Sequence, residues 1–244
     1  MDNPFIHAVI RGLLEVRDTL QNSHDLSLFD SFEKGEGGDV SSGFDLKAEA
    51  IFFKYLNSFG SVFSEESGWM SPSDEYNIIL DPIDGSDNFA SFFPYYGVSI
   101  AREKSGKMIE GIVCNLVNGD VFVRTVSDYY RTTLDKPTLK LPIITNTKAK
   151  IGLFEKGPEH PRLGEKLIQN HLKYRSPGAL ALSLAYAPLV KYVLFLGTMR
   201  SFDIQAGLFL SQHLYGVSNE KYILISSSKE VFEQIRIIVE KEYF

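Results

Sequence analysis

The stretch Ile78-Ile79-Leu80-Asp81-Pro82-Ile83-Asp84-Gly85-Ser86-Asp87-Asn88-Phe89 decides how the rest of the chain is read. Its apolar opening predicts a short buried strand over 78–80, and two carboxylates follow where that strand is expected to stop. Pro82 fixes its own φ and Gly85 frees the chain to turn, so Asp81 and Asp84 can converge while the Ile83 carbonyl faces the same point. Oxygen-only donors of this kind suit magnesium, which leaves positions for water and a phosphate. A helical turn over Ser86–Asn88 would aim its free N–H groups at that anion. Asp-Pro and Asp-Gly are also common turn punctuation, so acids that merely cap a turn remain an alternative at this stage.

Further acids lie on either side of this stretch. Ser64-Glu65-Glu66-Ser67 closes a strand read over Val62–Ser64, and Asp203 follows Phe202 at the start of an apolar helical segment, where it would serve as an N-cap. The spacing of Phe5, Ile6, Val9, Leu13, Val16 and Leu20 predicts an opening helix. A second helix is predicted over Asp45–Phe59, with Leu46, Ile51, Phe52, Tyr55, Leu56 and Phe59 inward and Asp45 complementing the helix dipole. Strands are predicted over Gly97–Arg102, Met108–Asn115 and Asp120–Val126, and a joint over Ser127–Pro142. Helices over Leu163–Leu172, Leu180–Val190 and Ile204–His213, a strand over Tyr222–Ser226 and a closing helix over Lys229–Tyr243 complete the reading. Glu33–Ser42, rich in glycine, is expected to be a mobile loop. The division expected is residues 1–135, an N-terminal α+β half with most of the acids, and 136–244, an α/β half with Asp203 and the substrate pocket.

At 244 residues the chain can bury a large core without disulfides. Its formal net charge of −6 argues against a basic surface for nucleic-acid polymers. No apolar run reaches the ~18 residues of a membrane span, and the acidic and basic residues from Arg11 to Asp18 do not form a secretory signal. A cytoplasmic protein is expected. Cys114, the single cysteine, reads as a small apolar filler and has no partner for an internal disulfide.

Three elements in order, Glu65-Glu66-Ser67, the Asp81–Phe89 run and Phe202-Asp203-Ile204-Gln205-Ala206-Gly207, resemble the inositol monophosphatase family. These are magnesium-dependent, typically lithium-sensitive phosphomonoesterases, with relatives acting on fructose 1,6-bisphosphate and 3′-phosphoadenosine 5′-phosphate. The resemblance implies an αβαβα layered sandwich of the sugar phosphatase type, within the α+β or α/β class that the mixed elements already suggest. It implies metal ligation by Glu65, Asp81, the Ile83 carbonyl, Asp84 and Asp203, with Asp39 on the N-terminal loop beside a third ion, hence two or three Mg2+ per site. It also implies that Ser86 and Glu65 orient the attacking water, that the Gly85 and Ser86 amides contact phosphate, that Glu66 lies behind the ligands, and that the protein is a homodimer. Gly178 and Ala179 match the family's small-residue segment along the substrate pocket, or simply allow close helix packing.

The chemistry this predicts is metal-assisted attack by water on a small phosphate ester, with Glu65, Asp84 and Ser86 catalytic and no phosphoenzyme. Cys114 lacks an arginine six residues on, Asp81 lacks a second aspartate two residues on, and no G-x-x-x-x-G-K-[ST] loop occurs. The five histidines form no pair at ligand spacing. Specificity is less defined. Leu196 stands where inositol-preferring members carry a glutamate, and Arg200 either grips a second phosphate or sugar oxygen or is an ordinary solvated arginine. Inositol monophosphate or a similar polyol or sugar phosphate is the leading substrate. A bisphosphate phosphatase and a catalytically silent metal- or sugar-phosphate-binding regulator are the alternatives.

Overall fold

The computed structural model describes residues 3–22, 26–38, 40–71 and 75–243. Helix α1 (Pro4–Asn22) is followed by a single-turn helix at Leu26–Phe29, the hairpin β1 (Ser31–Lys34) and β2 (Val40–Ser42), and α2 (Gly43–Leu56). Strands β3 (Ser61–Ser64), β4 (Gly68–Trp69) and β5 (Tyr76–Asp84) lead into the short α3 (Ser86–Ala90). An antiparallel run follows: β6 (Gly97–Lys104), β7 (Lys107–Asn115), β8 (Asp120–Thr125), β9 (Tyr129–Thr133) and β10 (Lys136–Leu141). The remainder is β11 (Gly152–Glu155), α4 (Pro161–Gln169), β12 (Tyr174–Arg175), α5 (Leu180–Ala185), β13 (Val193–Leu196), α6 (Ser201–Ser211), β14 (Tyr215–Ser218), β15 (Tyr222–Ser226) and α7 (Lys229–Tyr243).

The strands form an eight-stranded sheet in the order β10-β9-β8-β7-β6-β5-β3-β4 and a five-stranded sheet in the order β12-β11-β13-β15-β14. Alternation along each strand sorts side chains between layers. Ile78, Leu80, Ile100, Ile112 and Cys114 face α1 and α2, joining Phe5, Leu13, Phe52 and Leu56 in one core. Ile79, Ala101, Val113 and Phe122 face the other way, onto Ala181, Leu182, Phe202 and Ala206 of α5 and α6. The opposite sides of α5 and α6 meet Leu153, Val193, Phe195 and Ile223 of the second sheet, whose far face packs against Leu163, Leu167, Ile235 and Val239 of α4 and α7. The result is the αβαβα sandwich. Each fully buried aliphatic side chain in these four cores contributes roughly 1.5–3 kcal/mol.

Several expectations need correction. The Ser127–Pro142 joint contains the hairpin β9–β10, so the large sheet continues to Leu141, past the expected boundary at 135/136. The Glu33–Ser42 segment, expected to be a loop, includes the end of β1 and all of β2, which pair antiparallel. The helix expected over Leu180–Val190 stops at Ala185, three residues before Pro188, which cannot continue a helix. Strands β11 and β13 are four-residue segments whose length carries no period to read.

Candidate metal and phosphate site

Strand β5 runs through Asp84 instead of ending at Leu80, and its pairing with β6 holds the geometric device behind the site. Asp81 pairs with Ser99 and Asp84 with Gly97, so three steps on β5 oppose two on β6. This is a β-bulge. In a regular strand, residues three apart point to opposite faces; the extra residue brings Asp81 and Asp84 to the same face, the one toward α5 and α6. Pro82 sits inside the irregularity, where its missing N–H costs no regular ladder bond.

The acids then collect from three elements. Glu65 follows β3, and its N–H donates to the Leu80 carbonyl at 3.0 Å, extending the β3–β5 pairing by one residue. Asp203 lies in the first turn of α6, where the helix dipole favours a carboxylate. Arg200, not Asp203, takes the N-cap position. One carboxylate oxygen from each of Glu65, Asp81 and Asp203 lies within 4.8 Å of the others. Asp84 is not part of that triad; its Oδ2 accepts the Leu182 N–H at 2.7 Å at the start of α5.

Ile83, Asp84, Gly85, Ser86, Gly178 and Arg200 line the same cleft of about 710 Å³ as the triad. That size suits a small-molecule ligand. Asp39 lies outside the described residues. Ala179 is buried behind Gly85 and does not join the lining. Gly85, at φ 89°, N-caps α3, and a Cβ there would stand 3.0 Å from the Ala179 Cβ and 3.1 Å from the Tyr95 carbonyl oxygen. Only glycine fits that crossing. Asn88 Nδ2 donates to the carbonyls of Tyr95 and Pro177, both at 2.7 Å, fastening α3 to the Gly178 segment.

Electrostatics identify what the cluster lacks. Burial, reinforced by Glu65, Asp84 and Asp203, pushes the Asp81 carboxyl well above the usual carboxylate range. Burial likewise raises Asp84, against the opposing Leu182 N–H and with the help of Asp203. Asp81 Oδ1 is buried with no hydrogen-bond partner. An orphaned carboxylate oxygen amid like charges is costly unless a cation meets it. The donor set is all oxygen, so the residues fit a hard divalent cation such as Mg2+.

Arg200 is not the solvated arginine that the sequence left open. Its Nε and Nη2 donate to Asp203 Oδ2 and Oδ1 at 2.8 and 3.0 Å, and its Nη1 reaches Glu65 Oε1 at 2.8 Å and the Gly37 carbonyl at 3.2 Å. Leu196 turns away from the cleft into the core beneath α4 and α7, whereas its neighbour Phe195 lines the cleft.

Other residues line or brace the site: Asp45, read from sequence as a partner of the helix dipole, and Glu49 and Glu155, which were not singled out. Asp45 closes a capping box with Ser42 at the start of α2, and the Ser42-x-x-Asp45 pattern could have announced it. It lines the cleft, and its carboxyl is pushed up to about 7, chiefly by burial, with Glu66 adding to the rise and the Ser42 hydroxyl opposing it. Glu49 accepts from the Ser67 N–H and hydroxyl at 3.0 and 2.6 Å, holding the turn that carries Glu65 and Glu66; Ser41 donates to Glu66. Glu155, at the end of β11, accepts from the Gly178 N–H at 2.9 Å and from the Ser183 hydroxyl, and burial raises its carboxyl.

The family model for the inositol monophosphatase family matches residues 7–214. The chain belongs to that family. A fructose-1,6-bisphosphatase of Pyrococcus furiosus is 29% identical over 150 residues, 61% of this chain and 56% of that protein. An inositol-1-monophosphatase of Mesorhizobium japonicum is 35% identical over 86 residues, 34% of this chain and 32% of that protein. The matches thus span about half and about a third of these curated relatives. Among solved structures, an IMPase of Thermotoga maritima superposes with a TM-score of 0.75 at 19% identity, covering 96% of this chain and 97% of that one. This confirms the fold. No helix among the described residues is long and apolar enough to cross a membrane.

Proposed function

We propose that this family member is a divalent-cation-dependent phosphomonoesterase acting on inositol monophosphate or a similar small polyol or sugar phosphate in the cytoplasm, as a homodimer. One observation carries the reading: the unpartnered, buried Asp81 Oδ1 among converging carboxylates, beside the turn on which Gly85 and Ser86 line the cleft. Glu65, Asp81, Asp84, Asp203 and the Ile83 carbonyl would hold Mg2+, with Asp39 assigned to a further ion. Bound there, Mg2+ supplies a lowered water pKa and charge stabilisation at the leaving oxygen.

The chain's own groups do the rest. Glu65 takes the proton of the attacking water, which the Ser86 hydroxyl helps to orient. The amides of Gly85 and Ser86 bind phosphate oxygens, and Asn88 keeps that turn against the Gly178 segment of the C-terminal half. Cys114 is buried, and burial raises its thiol far above the range in which it would be a nucleophile, which supports direct attack by water.

A second reading, a bisphosphate substrate, is favoured by the wall opposite the acids. Lys156 sits there with a left-handed backbone at φ 57°, beside Phe195 and Thr198, where a distal phosphate would reach. Phosphate release from inositol 1-phosphate, fructose 1,6-bisphosphate and 3′-phosphoadenosine 5′-phosphate, with and without Mg2+, tests both. Magnesium-dependent turnover of any one supports the hydrolase. No turnover of all three at saturating metal favours the silent regulator.

A further inference from the structure

The geometry points to competition between the Arg200 guanidinium and a divalent cation for Glu65 and Asp203, so that this chain carries an internal cation which sets its own metal affinity. The inference rests on the reading that the acidic cluster binds divalent cations.

Arg200 occupies the N-cap of α6 in extended conformation, φ −99° and ψ 141°, and caps with no side-chain hydrogen bond. Its side chain instead folds back along the first turn and spends all three nitrogens on the site. The fork to Asp203 uses both carboxylate oxygens, and Nη1 adds Glu65. These are two of the three carboxylates whose oxygens converge. The side chains of Arg200, Glu65 and Asp203 are 30%, 12% and 11% exposed, so the attraction is only partly screened, unlike that of a surface ion pair. A planar fork satisfied at both tines is also the strongest form such a pair takes.

A divalent cation drawing on the Asp203 and Glu65 carboxylates competes with this fork, because the guanidinium bound to the same groups repels a second positive charge at close range. Asp81 has no such claim on it, since its Oδ1 is unpartnered. The cluster therefore divides in kind. One carboxylate oxygen is unpartnered, and two carboxylates share the single positive charge of Arg200. Through the Gly37 carbonyl the same guanidinium ties the turn between β1 and β2 to α6, so displacing it also frees a link between the two halves of the chain.

The test is Mn2+ titration of the full-length protein without substrate, read by calorimetry and by the fluorescence of Trp69. This single tryptophan stacks on Phe63, with ring centroids 4.8 Å apart, and Phe63 packs on Phe202 beside Asp203. Arg200→Gln removes the charge and the fork and is expected to bind Mn2+ at least about tenfold more tightly than wild type. Arg200→Lys keeps a charge without the planar fork and is expected to fall between the two. Affinity in Arg200→Gln that is unchanged or weaker overturns the proposal, because Arg200 would then be a bystander or a brace for the ligands. Should Arg200→Gln melt below the assay temperature, Arg200→Lys decides alone, and affinity equal to or below wild type overturns it. Mn2+ binding to none of the proteins removes the cation site and this inference together. Tighter binding by Arg200→Gln in a protein that hydrolyses none of the phosphate esters leaves the competition standing and sinks only the hydrolase reading.

Discussion

The cleft has a floor and a wall that are built on different principles. The floor, Glu65, Asp81 and Asp84, comes from the ends of two neighbouring strands, and its geometry is set by backbone: one bulge, one left-handed glycine and one parallel pairing that runs on into Glu65. The wall, Lys156, Phe195 and Thr198, comes from the ends of β11 and β13 in the other sheet and is set by which side chain stands there. Backbone devices tolerate little change, whereas side chains at strand ends can be exchanged without disturbing the sheet. The contrast suggests that chemistry is fixed in the floor and selectivity varied in the wall.

Substitutions can break this division or sharpen it. The largest effect is expected in the floor: Asp84→Asn should lower phosphate release by roughly 10³-fold while circular dichroism and thermal melting show an intact fold. Residual activity above a tenth of wild type would remove Asp84 from the reacting centre. Next is Leu196→Glu, which mimics inositol-preferring relatives in sequence but places a carboxylate in the core under α4 and α7. A loss of about 3–5 kcal/mol in urea denaturation is expected, with Leu196→Met costing less than about 1.5 kcal/mol. A Leu196→Glu protein of wild-type stability would mean that the position faces the cleft after all.

A smaller effect concerns pH. Asp45 titrates near 3.8 when unfolded and is pushed up to about 7 when folded, so the folded state holds its proton longer. The stability it contributes is complete below 3.8 and is lost as pH rises through about 7. Between pH 5 and 8, in EDTA, wild type should lose about 2 kcal/mol more stability than Asp45→Asn. Parallel pH profiles for the two proteins would show that Asp45 is not the group responsible. Smallest of all, Lys156→Ala should raise KM for fructose 1,6-bisphosphate by roughly three- to tenfold with kcat unchanged, and leave inositol 1-phosphate nearly unaffected. An equal change for both substrates would make Lys156 part of the floor's chemistry instead of the wall's selectivity.

What could be read from the sequence follows the same line. The Asp81–Phe89 acids were legible because they are contiguous and stand in order with Glu65-Glu66-Ser67 and the Asp203 run; the mixed helix and strand class followed from helices long enough to show a period, as with α1 and its buried Phe5, Val9 and Leu13, whereas the layering came from the family resemblance. The bulge was not legible, because nothing in Asp81-Pro82-Ile83-Asp84 announces that β6 will skip a residue; the strand was expected to end at Leu80. Glu155 and Glu49 were missed because each acts through backbone amides or a hydroxyl supplied by distant segments. The direction of Leu196 was hidden for a related reason. A four-residue strand does not reveal which of Phe195 and Leu196 faces the cleft until its neighbours β11 and β15 are in place.

The surplus residue in β5 is held by burial as well as by pairing. Deleting Ile83 would restore even alternation and leave both aspartates on one face, but it would empty the place its side chain fills beneath α1 and α2 and put Pro82 into the regular ladder, where its missing N–H costs a bond. That deletion would thus be far more damaging than one of equal size at the exposed Ser105-Gly106 turn, although neither removes an acid.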